Sequence, residues 1–398
     1  MAHNTQNIIK TLKFECKQEL TERLIPFWDK LRDDEYGGFY GYVDSELAVD
    51  KKADKGLVLT SRILWFYSSC YSIIGGESNL SNARHAYEFV KNKCLDEKNG
   101  GVYWMMSHDG QVTDDRKYTY CQSFAIYALC AYYEASKDAE ALELALELFD
   151  VVEKKCSDEI SYGDSFSADF KLCLNDELSE NGITAEKTMN TVLHLIEAYT
   201  VLYAASNRQD IAERVYFLLK LTKEKLFDEK DNKLFVFFTR DMRVLGDVHS
   251  YGHDIEAAWL IDRACKVLEN EALIDEWRER GLLIAQNILE TAFENDAVNN
   301  ERCGSEIDKT RVWWVQAESV VGFINAYEQS GELRYLDAAL RVWEYIKNVQ
   351  IDKRPLSEWH DSVGFDGNPK TARMAGTWKC PYHNGRMCVE VLKREFKV

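Results

Sequence analysis

The feature that most restricts how this chain can fold is an internal repeat of aromatic-rich helical segments. S-R-I-L-W-F-Y begins at Ser61, S-F-A-I-Y-A-L at Ser123 and N-T-V-L-H-L-I-E-A-Y at Asn190. The series continues with H-D-I-E-A-A-W-L from His253, Q-A-E-S-V-V-G-F-I-N-A-Y from Gln316 and H-N-G-R-M-C-V-E-V from His383. With Arg62, Phe124, Asn190, Glu256, Glu318 and Arg386 as markers, the steps are 62, 66, 66, 62 and 68 residues. A second helical segment precedes most of these, as at residues 81–94 and 142–155. Helix pairs of this kind bury their apolar faces by stacking on one another. Six pairs predict an all-α (α/α)6 barrel, with six inner helices ringed by six outer ones. Runs with strand character, starting at Gly37, Gly100 and Lys233, predict short β-hairpins at one rim. The four prolines stand at 26, 355, 369 and 381, and no Ser- or Pro-rich linker interrupts the chain. A single domain over residues 1–398 is expected.

Composition narrows the partners. A 46% apolar and 12% aromatic content supplies a large core, and ten Trp and 21 Tyr exceed what packing needs. Aromatic faces suit the stacking of sugar rings. A net charge of −18 argues against nucleic acid, anionic membranes and polyanionic substrates. The eleven cysteines are scattered without C-x-x-C pairs or zinc-like spacing, as expected of reduced thiols in a cytoplasmic protein. The N-terminal residues show no leader pattern and no window approaches a membrane span, so a soluble protein is expected.

The chemistry centres on residues 247–262, D-V-H-S-Y-G-H-D-I-E-A-A-W-L-I-D. Gly252 breaks the local pattern, and helical spacing from His253 onward puts His253, Glu256, Ala257 and Leu260 on one face. A helix start favours the neutral imidazole, and Glu256, one turn on, is expected to orient the ring. His194, His253 and His383 fall on three different inner segments, with Arg62 on the first and Glu256 and Glu318 on the fourth and fifth. A barrel would let all of these converge on one cleft. His3, His85, His108 and His360 sit in polar or terminal surroundings and read as exposed. His249, His253 and Glu256 form H-x3-H-x2-E, superficially a ligand face, but Gly252 separates His249 from the helix and no further ligand lies nearby. No metal is expected. Phosphate-binding glycine motifs and a G-x-S-x-G nucleophile context are absent too, so no cofactor is expected. Trp313 and Trp314 cannot both face one side of a helix, so one packs and the other is free for a ligand. Trp378 is a candidate sugar platform.

Stretches along nearly the whole chain carry a family resemblance. They are P-F-W-D-K-L-R-D-D-E-Y-G-G-F-Y-G-Y (26–42), D-K-K-A-D-K-G (50–56), S-R-I-L-W-F-Y-S (61–68) and K-T-M-N-T-V-L-H-L-I-E-A-Y (187–199). G-D-V-H-S-Y-G-H-D-I-E-A (246–257), D-K-T-R-V-W-W-V-Q-A-E (308–318) and W-K-C-P-Y-H-N-G-R-M-C (378–388) complete the set. Together they resemble the N-acylglucosamine 2-epimerase superfamily. The resemblance implies a metal-free (α/α)6 barrel that inverts C2 of a reducing-end aldose. The implied substrate is cellobiose or a related β-1,4-disaccharide, lactose and mannobiose included, handled by a monomer. By resemblance, His253 and His383 transfer the protons, and Arg62, Tyr120, Asn190, His194, Glu256 and Glu318 surround the reacting sugar. Trp314 and Trp378 match sugar-contacting tryptophans, and Trp259 joins the substrate-binding set. Residues 354–376 match least. Mannose, glucose or N-acetylglucosamine as substrate, and an (α/α)6 glycoside hydrolase using Glu256 and Glu318, remain as alternatives.

Overall fold

A computed structural model describes residues 2–179 and 181–396. Among the described residues twelve helices alternate between an inner and an outer ring. The inner helices are α2 (Leu57–Ile74), α4 (Thr119–Ser136), α6 (Met189–Ser206), α8 (Tyr251–Val267), α10 (Trp313–Ser330) and α12 (His383–Lys393). The outer helices are α1 (Ala2–Gln18), α3 (Glu77–Phe89), α5 (Ala139–Lys155), α7 (Gln209–Leu221), α9 (Glu271–Thr291) and α11 (Leu333–Tyr345). α1 runs on through a π-helical turn, Glu19–Leu24, into Ile25–Asp29, and α3, α7 and α11 also end in π-helical turns. Each inner helix packs on the next, and α12 closes the ring on α2. α12 has no outer helix after it in sequence; α1, from the other end of the chain, packs there instead.

Burial explains the two kinds of helix. Every residue of α2 from Leu57 to Cys70 is buried, so apolar residues occur on every side of it rather than in one stripe. The outer helices bury one stripe only, as in α5, where Ala141, Ala145, Leu148 and Val152 face inward. One consequence corrects the sequence reading: Leu57–Ile74 is long and apolar enough to cross a membrane by length and composition. Its apolarity here answers to burial on all sides, with 78% of it inside the barrel. The hydrophobic core is continuous from Ile9 to Phe396.

Short strands run into the inner helices and knit the rim. Lys55–Gly56, leading into α2, pairs with Met105–Met106 of the next repeat, and Lys117–Tyr118 pairs with Ser165–Phe166. Lys187–Thr188 pairs with Phe237–Phe238, Val248–Ser250 with Glu301–Cys303, and Arg311–Val312 with Ser362–Val363. A bridge between Val43 and Ala375 closes this outer seam as α12 and α2 close the inner one. All three hairpins expected from the sequence occur, as strands of two or three residues.

A buried cation stands ahead of most inner helices and ties down the preceding turn. Lys55 Nζ donates to Asp33 Oδ2 at 2.6 Å and to the Gly37 carbonyl at 2.7 Å. Lys117 meets Asp96 Oδ2 at 2.8 Å and the Gly100 carbonyl at 3.1 Å, and Lys187 meets Asp158 Oδ2 at 2.6 Å. Arg311 donates to Asn299 and to the Glu294 carbonyl, and Lys379 pairs with Glu358. Ahead of α8 the corresponding position is His249, bonded to Asp254 Oδ2 at 2.7 Å. These anchors fix where each inner helix begins, and the site is built from those beginnings.

Candidate active site

Inner-helix N-termini converge on a cavity of about 220 Å³. Arg62, Tyr120, Asn190, His194, His253, Glu256, Trp313, Trp314 and His383 line it, and each lies in the first six residues of its helix. Glu177, Leu178, Val312, Asp361, Trp378 and Lys379 complete the wall from the rim segments. α8 begins at Tyr251, two residues before the expected start, so Gly252 lies inside it. It has to be glycine: a Cβ there would come within 2.5 Å of Cη2 and Cζ3 of Trp314. The bare backbone lets the Trp314 ring lie beside both histidines, with centroids 4.7 Å from His253 and 5.4 Å from His383. Trp313 is buried and Trp314 half-buried, and both reach the cavity wall.

The three histidines have fixed rings. His194 Nδ1 donates to Glu197 Oε2 at 2.9 Å, and His383 Nδ1 donates to Glu318 Oε1 at 2.7 Å. Nδ1 of His253 lies 2.7 Å from Ser250 Oγ. Nδ1–H in His194 and His383 leaves Nε2 as the lone-pair nitrogen. Burial drives all three rings toward the neutral form: His253 to about 3, aided by the positive charge of Arg62, and His194 to about 4. His383 falls well below the usual value through burial and the nearby Arg386 and Arg62.

Two corrections concern the glutamates. Glu256 does not orient His253; its Oε1 accepts from Arg386 Nη2 across the barrel, and Ser250 holds the histidine instead. Glu318 is fully buried behind His383 rather than at the cavity wall, accepting from His383, from Arg386 Nη2 at 2.7 Å and from Trp259 Nε1 at 3.0 Å. Trp259 accordingly fixes Glu318 and stacks under Arg386, 4.9 Å away, and does not line the cavity. Arg386, read from the sequence only as a repeat marker, is the hub: it also donates to Glu197, whose carboxylate accepts from Tyr382 Oη at 2.6 Å and is held at about 2 against its burial by Arg386 and His194. Glu197 was legible in principle, since H-L-I-E on α6 repeats the H-x-x-E spacing of His253 and Glu256.

Arg62 is the opposite case. Tyr120 Oη accepts from its Nη2 at 2.7 Å, the Trp378 carbonyl lies 3.4 Å from Nη1, and the rings of Phe124 and Tyr382 lie 4.3 and 4.8 Å from the guanidinium carbon. No carboxylate among the described residues pairs with it, so its charge is unspent at the cavity. The repeat marker Asn190 lies one turn ahead of the expected depth: His194, like Arg62, Glu256 and Glu318, is the sixth residue of its helix. Asn190 still lines the cavity, and its Oδ1 has no hydrogen-bond partner among the described residues. His249 belongs to the Asp254 pair, away from the cavity lining. His85, His108 and His360 are half-buried rather than exposed, and the side chain of His3 lies outside the described residues. Glu256, Glu318 and His383 are close enough to suggest a metal triad, but Arg386 already donates to both carboxylates where a cation would stand.

Neutral histidines lining one pocket, together with an arginine that no described carboxylate pairs with, form a site whose chemistry suits proton transfer with stabilisation of an anionic intermediate. Comparison with known proteins agrees with that class. The family model for N-acylglucosamine 2-epimerase (GlcNAc 2-epimerase) matches residues 38–385. The chain is 55% identical over 381 residues to the cellobiose 2-epimerase of Ruminococcus albus, covering 96% of this chain and 98% of that one. A solved sugar epimerase from a ruminal bacterium superposes with a TM-score of 0.96 at 54% identity, covering 97% of this chain and 100% of the other. The cellobiose 2-epimerase of Bacillus thermoamylovorans B4167 superposes with a TM-score of 0.94 at 42% identity, with the same coverage. The chain belongs to the N-acylglucosamine 2-epimerase family.

Proposed function

We propose that this protein epimerises the reducing-end glucose of cellobiose at C2, giving 4-O-β-glucosyl-mannose, and takes related β-1,4-disaccharides such as lactose. The observation that carries the reading is the placement of His253 and His383 beside Trp314 in the wall of one cavity, each ring neutral and held through Nδ1. C2–H of a closed pyranose is not acidic. Ring opening makes the C1 aldehyde, and H2 beside it becomes removable. One histidine takes H2 and the other returns a proton to the opposite face, through a cis-enediolate. Arg62 and the surrounding helix N-termini stabilise the negative charge on O1 and O2. Asn190, with its free Oδ1, and His194 hold sugar hydroxyls, Tyr120 positions Arg62, and Trp314 and Trp378 face the sugar rings. No step draws on a metal. Nine of the eleven cysteines are buried as free thiols, which supports a reducing, cytoplasmic setting.

A hydrolase needs two carboxyl groups flanking the scissile bond. Glu318 is enclosed behind His383, and Arg386 binds both it and Glu256, so the geometry favours proton transfer at carbon. Incubation with cellobiose, lactose, mannose and N-acetylglucosamine, with products separated by chromatography, tests the reading. Glucosyl-mannose from cellobiose, with little turnover of the monosaccharides, is the expected result. Release of free glucose, or faster turnover of a monosaccharide, would contradict it.

A further inference from the structure

Three carboxyl groups meet one guanidinium inside the barrel, Glu256 alone among them lining the cavity, and the hydrogen bonds distinguish them. Both oxygens of Glu197 receive donors: Arg386 and Tyr382 at Oε1, His194 and Tyr382 at Oε2. Both oxygens of Glu318 receive donors as well: His383 and Arg386 at Oε1, Trp259 at Oε2. Among the described residues Glu256 receives only Arg386, at Oε1; its Oε2 is buried with no partner among them, in a residue that lines the cavity. Three buried negative charges around one arginine exceed what the guanidinium compensates. The carboxyl lacking donors is the one that can hold a proton and become a donor itself. The geometry points to Glu256 as a neutral carboxylic acid whose Oε2–H gives its proton to the ring oxygen O5 and so opens the sugar.

This deepens the epimerase reading and rests on it. Burial, with Glu318 and Glu197 as like charges, pushes Glu256 up to about 8 against the pull of Arg386, which matches an acid working near neutral pH. The other groups facing that part of the cavity suit the role less well. His194, His253 and His383 are neutral bases, Tyr120 is driven upward by burial, and Arg62 keeps its proton.

With this donor the proton account closes. Glu256 protonates O5 as the C1–O5 bond breaks, while one histidine takes the O1 proton. The carboxylate left behind is stabilised by Arg386. The second histidine removes H2, and the first, now loaded, delivers its proton to the other face of C2. On ring closure O5–H returns its proton to Glu256 and O1 takes one from the second histidine. Every group ends as it began, with no net uptake from solvent.

Glu256→Gln keeps the shape and removes the transferable proton. C2 hydrogen exchange in D2O would be followed on cellobiose and on a glucosyl analogue whose reducing-end aldehyde lacks O5 and O6 and never closes into a ring. We expect E256Q to lose at least about 100-fold on cellobiose, the scale of general acid catalysis, while exchanging the open analogue within a few-fold of the wild type. Equal loss on both substrates, or no loss on cellobiose, would overturn the assignment. Infrared difference spectra of wild type against E256Q at neutral pH give a readout independent of turnover: a protonated-carboxyl band belonging to Glu256 is expected, and its absence would overturn the assignment. A wild type that exchanges no C2 hydrogen on cellobiose would instead remove the epimerase reading, before any variant is made.

Discussion

Gly252 shows how much of the site depends on single side chains, here on the lack of one. Its hydrogen is all that separates α8 from Trp314, and Trp314 in turn lies beside His253 and His383. Gly252→Ala is expected to push the indole out of place at an overpacking cost of about 1–3 kcal/mol. Steady-state kinetics should show kcat/KM falling about tenfold or more, on the same energy scale, while circular dichroism stays native. Unchanged kinetics would mean that Trp314 has no part in holding the sugar. The sequence placed His194, His253 and His383 on inner helix faces that could share one cleft, and all three do line one cavity. Sequence reasoning failed where the partner comes from across the barrel. Glu256 and His253 are neighbours at i, i+3, yet Glu256 turns to Arg386, 130 residues away. Neither helical periodicity nor local spacing encodes that choice.

At the scale of elements, the inner helices were legible because burial on every side leaves long apolar, aromatic runs at regular intervals. The strands of two or three residues were legible only as turn-flanked runs, and their pairing with the following repeat was not, since it depends on ring closure. The buried cation ahead of most inner helices is the device that sets those helix starts. Lys117 and Asp96 are both enclosed, with 0% and 1% of their side chains exposed. Lys117→Met would leave Asp96 buried without its counter-ion, and a loss of about 3–5 kcal/mol is expected in denaturant unfolding. Replacing both residues with apolar ones should recover most of that loss. A single variant as stable as the wild type would show that the turn is held by its backbone bonds alone.

Over the whole molecule, one charge cluster joins four inner helices, α6, α8, α10 and α12, through Arg386. Its acid sensitivity has a definite sign. Glu197 titrates at about 2 in the fold against an ordinary 4.5, so between those values the unfolded chain binds the additional proton. Stability from this group is complete above pH 4.5 and is lost as the pH falls toward 2. His253 and His194, lowered to about 3 and about 4, act in the same direction from pH 6.5 downward. Glu197→Gln should therefore flatten the pH dependence of unfolding below pH 4.5 by about one proton, as read from denaturant midpoints across that range; an unchanged slope would contradict the assignment of Glu197 as an ionised member of the cluster. The barrel itself was apparent from the six-fold repeat. The hub was not, because Arg386 reaches its partners only once α12 has closed the ring on α2.

The central claim is that two histidines exchange protons with C2 of a reducing-end sugar. The most direct measurement is NMR of cellobiose incubated with the protein in D2O and EDTA, beside His253→Asn. The account predicts glucosyl-mannose carrying deuterium at C2, with the variant inactive and folded. Product that retains the original hydrogen at C2, or a His253→Asn variant with near-normal turnover, would contradict it.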